Sequence, residues 1–346
     1  MGDELVIIGW MASIPFLGVQ DSGDRTLRVL SLLPSASEIV CLIGGRDCLV
    51  GRSHECDFPD SLDGLPELTA PRTAFTTSKG VDEAVRAATS RGDSLYRLDE
   101  AKVQALRPDV IITQDLCSVC SIDLDSVRRV ASSMDPQPRV LSLNPRTFED
   151  VLDDIVRIGA AIDLESEAKS VLLKLRDRFF QAADFVNPYV SQPSVAVLEW
   201  TDPLFVAGHW TPQLVERAGA SHPLNPTTAM AHAGAGAGGQ MAHRVGPPSR
   251  RIDASDLVAA APEFLVICPC GLGLEQAAAE AASLAEAPWW KDLPAVGAGR
   301  VMIVDGAAMF SRPGPRLVDA YEWLVAWIND RPELNPENFP AWILSA

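Results

Sequence analysis

The sequence has little of what marks several large classes of protein. Its 346 residues include only 29 Lys and Arg against 46 Asp and Glu, which gives a formal net charge of −17 at pH 7. A field of that sign repels phosphate backbones and anionic lipid surfaces, so nucleic acid is not an expected partner. No apolar run reaches the roughly 20 residues that a membrane-spanning helix needs, so no membrane insertion is expected.

Signatures of common enzyme chemistries are also missing. The chain has no G-x-S-x-G nucleophile turn, no H-E-x-x-H metal motif and no Walker A phosphate loop. Gly271 and Gly273 stand two residues apart, but the rest of a dinucleotide-binding fingerprint is not there. We therefore predict no catalytic residue and no catalytic cofactor.

The start of the chain does not look like an export signal. The apolar run Val6–Gly18 follows Asp3 and Glu4 where a signal carries Lys or Arg, and no A-x-A site or lipid-modified Cys comes after it. We interpret residues 1–26 as a leader outside the core or an extra strand, with a degenerate targeting signal as the alternative. Seven Cys, an odd number, fit a reducing compartment. These features predict a cytoplasmic or organellar protein, with export as the alternative if the true start differs.

Short β-branched runs followed by helical patterns predict an α/β fold of two Rossmann-like lobes with mostly parallel sheets. Those runs lie at residues 28–33, 49–50, 110–113, 139–143, 194–199, 264–267 and 300–304. Between the halves, Thr147 and Asp150 have the spacing of a helix cap, and a second, long helix begins near Asp163.

The predicted organisation has five parts, with one long bridging helix that connects the lobes stiffly. They are a leader (1–26), an N-terminal α/β lobe (27–163), the bridging helix (164–187), a C-terminal α/β lobe (188–331) with a flexible Gly/Ala-rich insertion (225–242), and a C-terminal tail (332–346).

Several cysteines fall just past predicted strands, where parallel α/β sheets bind ligands. Cys117 and Cys120 form a C-x-x-C, and Cys268 and Cys270 form a C-x-C. Sulfur suits Zn, Cu(I) or iron–sulfur centres, although the spacings match no known site of these kinds. The four thiols are therefore candidate metal ligands, candidate redox groups, or small buried residues lining a cleft.

Polar and aromatic side chains follow the same strand ends and are candidate ligand contacts. They are Ser35, His54, Glu55, Asp115, Phe205, His209, Trp210, Gly271, Phe310 and Arg312. A hydroxyl at a helix N-terminus can hold an anionic group, and aromatic faces cover large flat ligands. Two prolines around Gly314 predict a rigid loop that aims Phe310 and Arg312 outward. A plain helix cap at Ser35 and core packing of the aromatic residues are the alternatives.

Five ordered segments resemble the helical-backbone (class III) ABC-transporter substrate-binding proteins, most strongly their cobalamin-binding subgroup. They are RVLSLLPSASEIVCLIGG (28–45), VGRSHECDFP (50–59), SLYRLDEAKVQALRPDVIITQDLCSVC (94–120), VICPCGL (266–272) and MFSRPGPR (309–316). The resemblance implies capture of cobalamin or a similar corrinoid or metal chelate between the lobes. It also implies that Phe205 packs on the corrin and that Arg312 is the basic residue of the second-lobe loop.

The chain departs from that family at three places. An aromatic expected near His54 and Glu55 is missing. The acids that dock such proteins to an ABC permease fall near Glu100 and Asp256, but the matching positions hold Ala101 and Ser255, which speaks against docking. We therefore hypothesise a soluble, non-exported corrinoid-binding protein. The alternative is a thiolate/His metal-binding or thiol-redox protein that uses Cys117, Cys120, Cys268 and Cys270.

Overall fold

Four parallel strands form the centre of the first lobe. The computed structural model describes residues 26–72, 78–91, 95–115, 122–230 and 244–344. The elements of this lobe are β1 (Val29–Ser31), α1 (Pro34–Leu42), β2 (Leu49–Arg52), β3 (Thr69–Pro71), α2 (Ser78–Arg91), β4 (Tyr96–Leu98), α3 (Glu100–Leu106), β5 (Val110–Gln114), α4 (Leu124–Ser132), β6 (Arg139–Leu143) and α5 (Phe148–Ala161). The parallel sheet has the order β2-β1-β5-β6, and β3 and β4 form a separate antiparallel pair.

The second lobe has a mixed sheet with a parallel centre. Its elements are β7 (Val195–Thr201), β8 (Leu204–Val206), α7 (Thr211–Arg217), β9 (Thr228–Ala229), β10 (Arg244–Val245), β11 (Arg250–Arg251), α8 (Ala254–Ala260), β12 (Phe264–Ile267), α9 (Leu274–Ala285), α10 (Pro294–Gly297), β13 (Val301–Val304), α11 (Leu317–Ile328) and β14 (Ala341–Ile343). The sheet order is β11-β8-β7-β12-β13-β14, with β7, β12 and β13 parallel and the outer strands antiparallel. Short 3₁₀ turns cover residues 46–48, 60–62, 290–292 and 332–334.

The apolar runs of the sequence are the buried central strands, as predicted. All four residues of β12 are buried, and so are the first four of β5, because helices cover both faces of each sheet. The cap of α5 is also confirmed. The Thr147 hydroxyl accepts from the Asp150 amide at 3.1 Å, and the Asp150 carboxylate accepts from the Thr147 amide at 2.9 Å.

One helix, α6 (Glu165–Ala183), connects the lobes and packs on both. Its Phe179 stacks on Phe148 of α5 with ring centroids 4.9 Å apart, and on Tyr321 of α11 with centroids 4.0 Å apart. A single hydrophobic cluster continues through this stack from the first sheet to the second. The lobes therefore share a core instead of hanging from a flexible linker.

The ends of the predicted insertion are held firmly to the second lobe. Asn225 is buried and donates to the carbonyls of Ala207 and Pro248, while β9 pairs with β10. Arg244 donates to Glu216 at 3.2 Å and to the Thr227 carbonyl at 2.7 Å. Residues 231–242, which contain the Gly/Ala tract, lie outside the described residues, as does almost all of the predicted leader 1–26.

The tail beyond α11 returns to the second lobe. Phe339 stacks on Trp323 with centroids 5.0 Å apart, and Trp342 lies in edge strand β14, where it is about half exposed. None of the helices in the described part of the chain has both the length and the apolar character needed to cross a bilayer.

The aromatic stack gives a first test. Phe179→Ala removes the ring that links both lobes, so we expect a loss of about 3–5 kcal/mol in the free energy of unfolding, measured by urea denaturation. The matched control is Phe180→Ala, because the neighbouring ring is 55% exposed and its loss is expected to cost under about 1 kcal/mol. Equal losses for the two variants would contradict a shared core centred on Phe179.

Asp154 of α5 gives a test by pH. Burial raises its pKa to about 6, and this outweighs the opposing charge and hydrogen bond of Arg157. The unfolded carboxyl titrates near pH 3.9, so between about pH 4 and pH 6 the folded chain binds the extra proton. Stability is therefore expected to fall as the pH rises through that window. Asp154→Asn should remove this fall and raise stability at pH 7, as measured by urea denaturation across the window; a fall unchanged in the variant would refute the assignment to Asp154.

Candidate functional site

The carboxyl ends of the two sheets face each other. The loop after β13, residues 305–316, packs on the first turn of α1, which follows β1. A side chain on Gly314 would meet the Cβ of Ser35 at 3.3 Å, so only glycine allows this approach without a shift. The candidate cleft therefore lies between the strand ends of the two lobes, where parallel α/β sheets bind their ligands.

Four charged side chains join the lobes at this point, and we call them the interlobe ion cluster: Glu38, Asp57, Arg312 and Arg316. The carboxylate of Glu38 is only 4% exposed and accepts from Arg316 at 2.5 and 2.9 Å. Asp57 accepts from both terminal nitrogens of Arg312, at 2.6 and 3.0 Å, and Glu38 accepts from Arg312 at 3.2 Å. The two positive and two negative charges balance across the lobe boundary.

Arg312 stabilises the ionised form of Asp57 within the cluster. Partial burial alone would raise the pKa of Asp57, but the hydrogen bonds and charge of Arg312 outweigh it and lower the pKa. The guanidinium of Arg316 also lies over the ring of Phe58, 4.5 Å from its centroid, a cation–π contact.

A second set of side chains lies at the end of β2, and we call it the His54 group. The Nδ1 of His54 is 2.7 Å from the hydroxyl of Thr69, and its ring lies 5.4 Å from that of Tyr96. The Tyr96 hydroxyl donates to the Glu55 carboxylate at 2.8 Å. Because Nδ1 is held by Thr69, Nε2 is the nitrogen of His54 that can coordinate a metal.

The predicted aromatic residues of the second lobe separate into two groups. Phe205 of β8 is half-buried and pairs in register with Trp200 of β7. His209 is half-buried and adopts a φ of +55°, and burial lowers its pKa, which favours the neutral imidazole. Trp210 instead is buried, and its indole nitrogen donates to the Phe310 carbonyl at 2.6 Å.

Helix α2 makes a further contact between the lobes. Although Ser78 belongs to the first lobe, its hydroxyl lies 3.1 Å from that of Thr201 at the end of β7. The indole of Trp200 donates to the Ser78 carbonyl at 3.2 Å, and the Ser78 amide donates to Glu280 of α9 at 3.3 Å. The first turn of α2 is thus attached to the carboxyl end of the second sheet.

The prediction for the loop after β13 was wrong in one respect. Phe310 does not point outward: it is 3% exposed and packs edge-on against Trp323, with centroids 6.2 Å apart. The short spacing to α11 forces the loop back onto the core, and Trp210 holds it there. Arg312 does leave the loop, but toward Glu38 and Asp57. Arg316, which precedes α11, belongs to the same cluster.

The thiols do not gather into a site within the described residues. Cys268 is buried, and burial raises the pKa of its thiol well above the usual range, so a metal-binding thiolate is disfavoured there. Cys270 is exposed two residues later. Cys117 and Cys120 lie outside the described residues. No cluster of three or more His, Cys, Asp or Glu suited to a metal ion occurs in the part of the chain that the structure describes.

The remaining predicted positions lie at strand ends without a common centre. Asp115 is exposed after β5, and its amide donates to the Asn144 side chain at 2.7 Å. Gly271 follows β12 with a φ of +75°, a conformation that favours glycine. Ser35 is buried under Gly314 and makes no side-chain cap for α1.

Sequence reasoning missed Tyr96, Glu38 and Asp57. Tyr96 supplies an aromatic ring beside His54, where none was found in the sequence, but it comes from β4, 42 residues along the chain. Glu38 is the fifth residue of α1. An acid near the start of a helix is usually explained by its interaction with the helix dipole. The cluster could have been predicted only by pairing Glu38 with Arg312 and Arg316 of the segment 309–316.

Comparison of the fold finds similar solved structures. A periplasmic heme-binding protein from Pseudomonas aeruginosa matches with a TM-score of 0.63 at 22% identity, over 88% of this chain and 93% of that one. A periplasmic heme-binding protein from Roseiflexus sp. RS-1 matches at 0.62 and 17%, over 89% and 99%. The periplasmic vitamin B12-binding protein of Vibrio cholerae matches at 0.56 and 17%, over 88% and 98%. No protein-family model and no curated protein matches the chain.

These likenesses confirm the predicted fold, the two-lobed class III periplasmic-binding-protein fold. They contradict the expected cytoplasmic or organellar location, because the similar structures are periplasmic binding proteins. The expectation rested on the acidic start and the odd number of Cys.

The interlobe ion cluster predicts unequal effects of its two acids. Glu38→Gln leaves Arg316 without its buried counter-charge, so we expect a loss of about 2–3 kcal/mol in the free energy of unfolding. Asp57 is 60% exposed, and Asp57→Asn is expected to cost under about 1 kcal/mol near neutral pH. Because the folded pKa of Asp57 is lowered, that small difference should begin to shrink below about pH 4 and be lost as the pH falls through the lowered folded pKa. Urea denaturation at pH 7 and pH 3.5 measures both effects. A larger effect of Asp57→Asn would overturn the assignment.

Proposed function

We propose that this chain is a solute-binding protein that captures a flat metal chelate of the haem or corrinoid class between its lobes, without catalysing a reaction on it. The observation that carries the proposal is the His54 group at the cleft-facing end of β2. Imidazole and phenol are both side chains that hold the metal of such ligands from the axial side. Solved structures of similar fold that bind heme or vitamin B12 support the same ligand class.

The geometry of the His54 group suits axial coordination. The hydroxyl of Thr69, 2.7 Å from Nδ1, holds the ring of His54 in one orientation and leaves Nε2 for a metal. The Tyr96 hydroxyl donates a 2.8 Å hydrogen bond to the Glu55 carboxylate, which increases the electron density on the phenol oxygen. Phe205 and His209, half-buried on the other lobe, supply the apolar surface for the opposite face of the ligand.

Within this class, the charges favour a corrinoid such as cobalamin. Haem carries two carboxylates, whereas the side chains around the corrin ring of cobalamin are amides. Arg312 and Arg316 are two cations at the point where the lobes meet, and both are already paired with carboxylates. With Glu55 also nearby, an anionic periphery meets negative charge, and neutral amides do not. The sequence resemblance to the cobalamin-binding subgroup supports the same choice.

Docking to an ABC permease is not part of the proposal. The acids nearest to the expected docking positions have other partners. Asp256 accepts from the Asp253 amide at 3.1 Å and so caps α8, while Glu100 lies 3.5 Å from Arg129. These contacts support ligand capture without those two acids serving as a transporter interface.

Binding of defined ligands tests the function. We expect the purified, reduced chain to bind hydroxocobalamin and cyanocobalamin at one equivalent with a Kd at micromolar or below, about −8 kcal/mol or better, by calorimetry. Haemin should bind more weakly. Tight, stoichiometric binding of haemin alone would replace the corrinoid by haem, and no binding of any of the three would refute the proposal.

The His54 group is tested by variants. His54→Ala should weaken hydroxocobalamin binding at least tenfold, about 1.4 kcal/mol, and abolish the spectral change that accompanies axial coordination. Tyr96→Phe should weaken binding less, since the ring remains. Tyr189→Phe is the matched control, because that tyrosine is 95% exposed and is expected to have no effect. An unchanged spectrum in His54→Ala would exclude His54 as the axial ligand.

A further inference from the structure

Helix α2 extends from the candidate site to the opposite lobe. It is inserted between β3 and β4, the antiparallel pair that carries Thr69 and Tyr96 of the His54 group. At the N-terminal end of α2, Ser78 is hydrogen-bonded to residues at the end of β7 in the second lobe. The helix therefore begins on the second lobe and is carried by the part of the first lobe that holds the proposed metal ligands.

The contacts of α2 with the second lobe that the structure describes are polar and are made by Ser78. Ser78 is 2% exposed, and its hydroxyl, amide and carbonyl each have a partner on the second lobe: Thr201, Glu280 and Trp200. Thr201 in turn donates to Glu280 at 2.5 Å, so the acceptors are already oriented by each other. A contact made of a few hydrogen bonds can break without exposing a hydrophobic core.

The body of α2 contributes little apolar burial. Ser78 is the fully buried position among those residues of α2 whose side chains are described, and the rest are half-buried or exposed. In α5, eight of the 14 residues are buried, against one of the nine α2 residues whose burial is described. Elements with few buried apolar contacts open at the lowest free energy, so α2 is the part of the cleft boundary suited to local opening.

The opposite boundary of the cleft is held more strongly. There the interlobe ion cluster joins the lobes, with Glu38 at 4% exposure and Gly314 packed on Ser35. The shared core around Phe179 opposes a wide separation of the lobes. A ligand of the size of a corrin thus needs an entrance that leaves both features intact.

From these contacts we infer that α2 is a lid, and that the ligand of the cleft enters and leaves beneath it while the interlobe ion cluster stays closed. The inference rests on the proposed function for the identity of the ligand. Release of Ser78 from Thr201, Glu280 and Trp200 opens the lid, and the β3–β4 pair is its base. Because these contacts join two parts of the protein and do not involve the ligand, the lid controls the rate of exchange more than the affinity.

Binding kinetics with hydroxocobalamin test the lid. Glu280→Ala removes the acceptor that holds the Ser78 amide and the Thr201 hydroxyl, so the association and dissociation rate constants should both rise about tenfold while Kd changes less than about twofold. Glu286→Ala, an exposed position at the end of the same helix as Glu280, is the matched control and should leave both rate constants unchanged. Asp57→Asn loosens the other edge of the cleft and should not raise the rate constants. Faster exchange in Asp57→Asn with unchanged rates in Glu280→Ala would place the entrance at the ion cluster and overturn the inference.

A cross-link provides the opposite test. The two hydroxyl oxygens of Ser78 and Thr201 lie 3.1 Å apart, so Ser78→Cys with Thr201→Cys allows a disulfide that fixes the lid. The oxidised variant should bind at least about a hundredfold more slowly, and reduction should restore the rate. Wild-type protein treated with the same oxidant controls for its own thiols. Undiminished binding by the fully cross-linked variant would refute a lid.

Amide hydrogen exchange separates failure of the lid from failure of the proposed function. In the ligand-free protein, amides of α2 should exchange by a common local opening, and Glu280→Ala should speed them without changing those of β1. If α2 exchanges only by global unfolding, the lid is wrong whatever the ligand is. If α2 opens locally but neither cobalamin nor haemin binds, the ligand assignment is wrong and the lid stands.

Discussion

The structure depends above all on one hydrophobic core shared by both lobes. Phe179 of the connecting helix lies between Phe148 of the first lobe and Tyr321 of the second, and the ring of Phe179 is also covered by the guanidinium of Arg217. Moving the lobes far apart would expose these faces to water, at a cost proportional to the apolar area. The shared core therefore opposes a wide separation of the lobes.

Beside the shared core, the lobes are joined at two edges of the cleft. On one side, the interlobe ion cluster buries Glu38 against two arginines, an arrangement that is favourable only while both lobes contribute their charges. On the other side, the described contacts of α2 with the second lobe are hydrogen bonds of Ser78. The difference in strength between the two edges follows from their chemistry, because paired buried charges are costly to separate and a few hydrogen bonds are not.

The same charges bear on the ligand. Arg312 and Arg316 are paired with acids of the same chain, and the groups beside them that we propose as metal ligands are an imidazole and a phenol. The proposed recognition therefore rests on metal coordination, aromatic contact and neutral hydrogen-bonding groups. It favours a metal chelate whose ring carries amides over one whose ring carries free carboxylates.

The sequence by itself determined the fold class and the position of each central strand. Buried parallel strands need continuous apolar runs, and helix caps such as Thr147 with Asp150 depend only on neighbours in the chain. What the tertiary structure decided was which strand-end side chains meet. Tyr96 reaches His54 through the β3–β4 pair, Arg312 turns toward Glu38 instead of the cleft, and Phe310 turns into the core. These partners lie from 13 to 274 residues apart. No local pattern specifies them, because their pairing follows from how loops and strand ends pack in the folded chain.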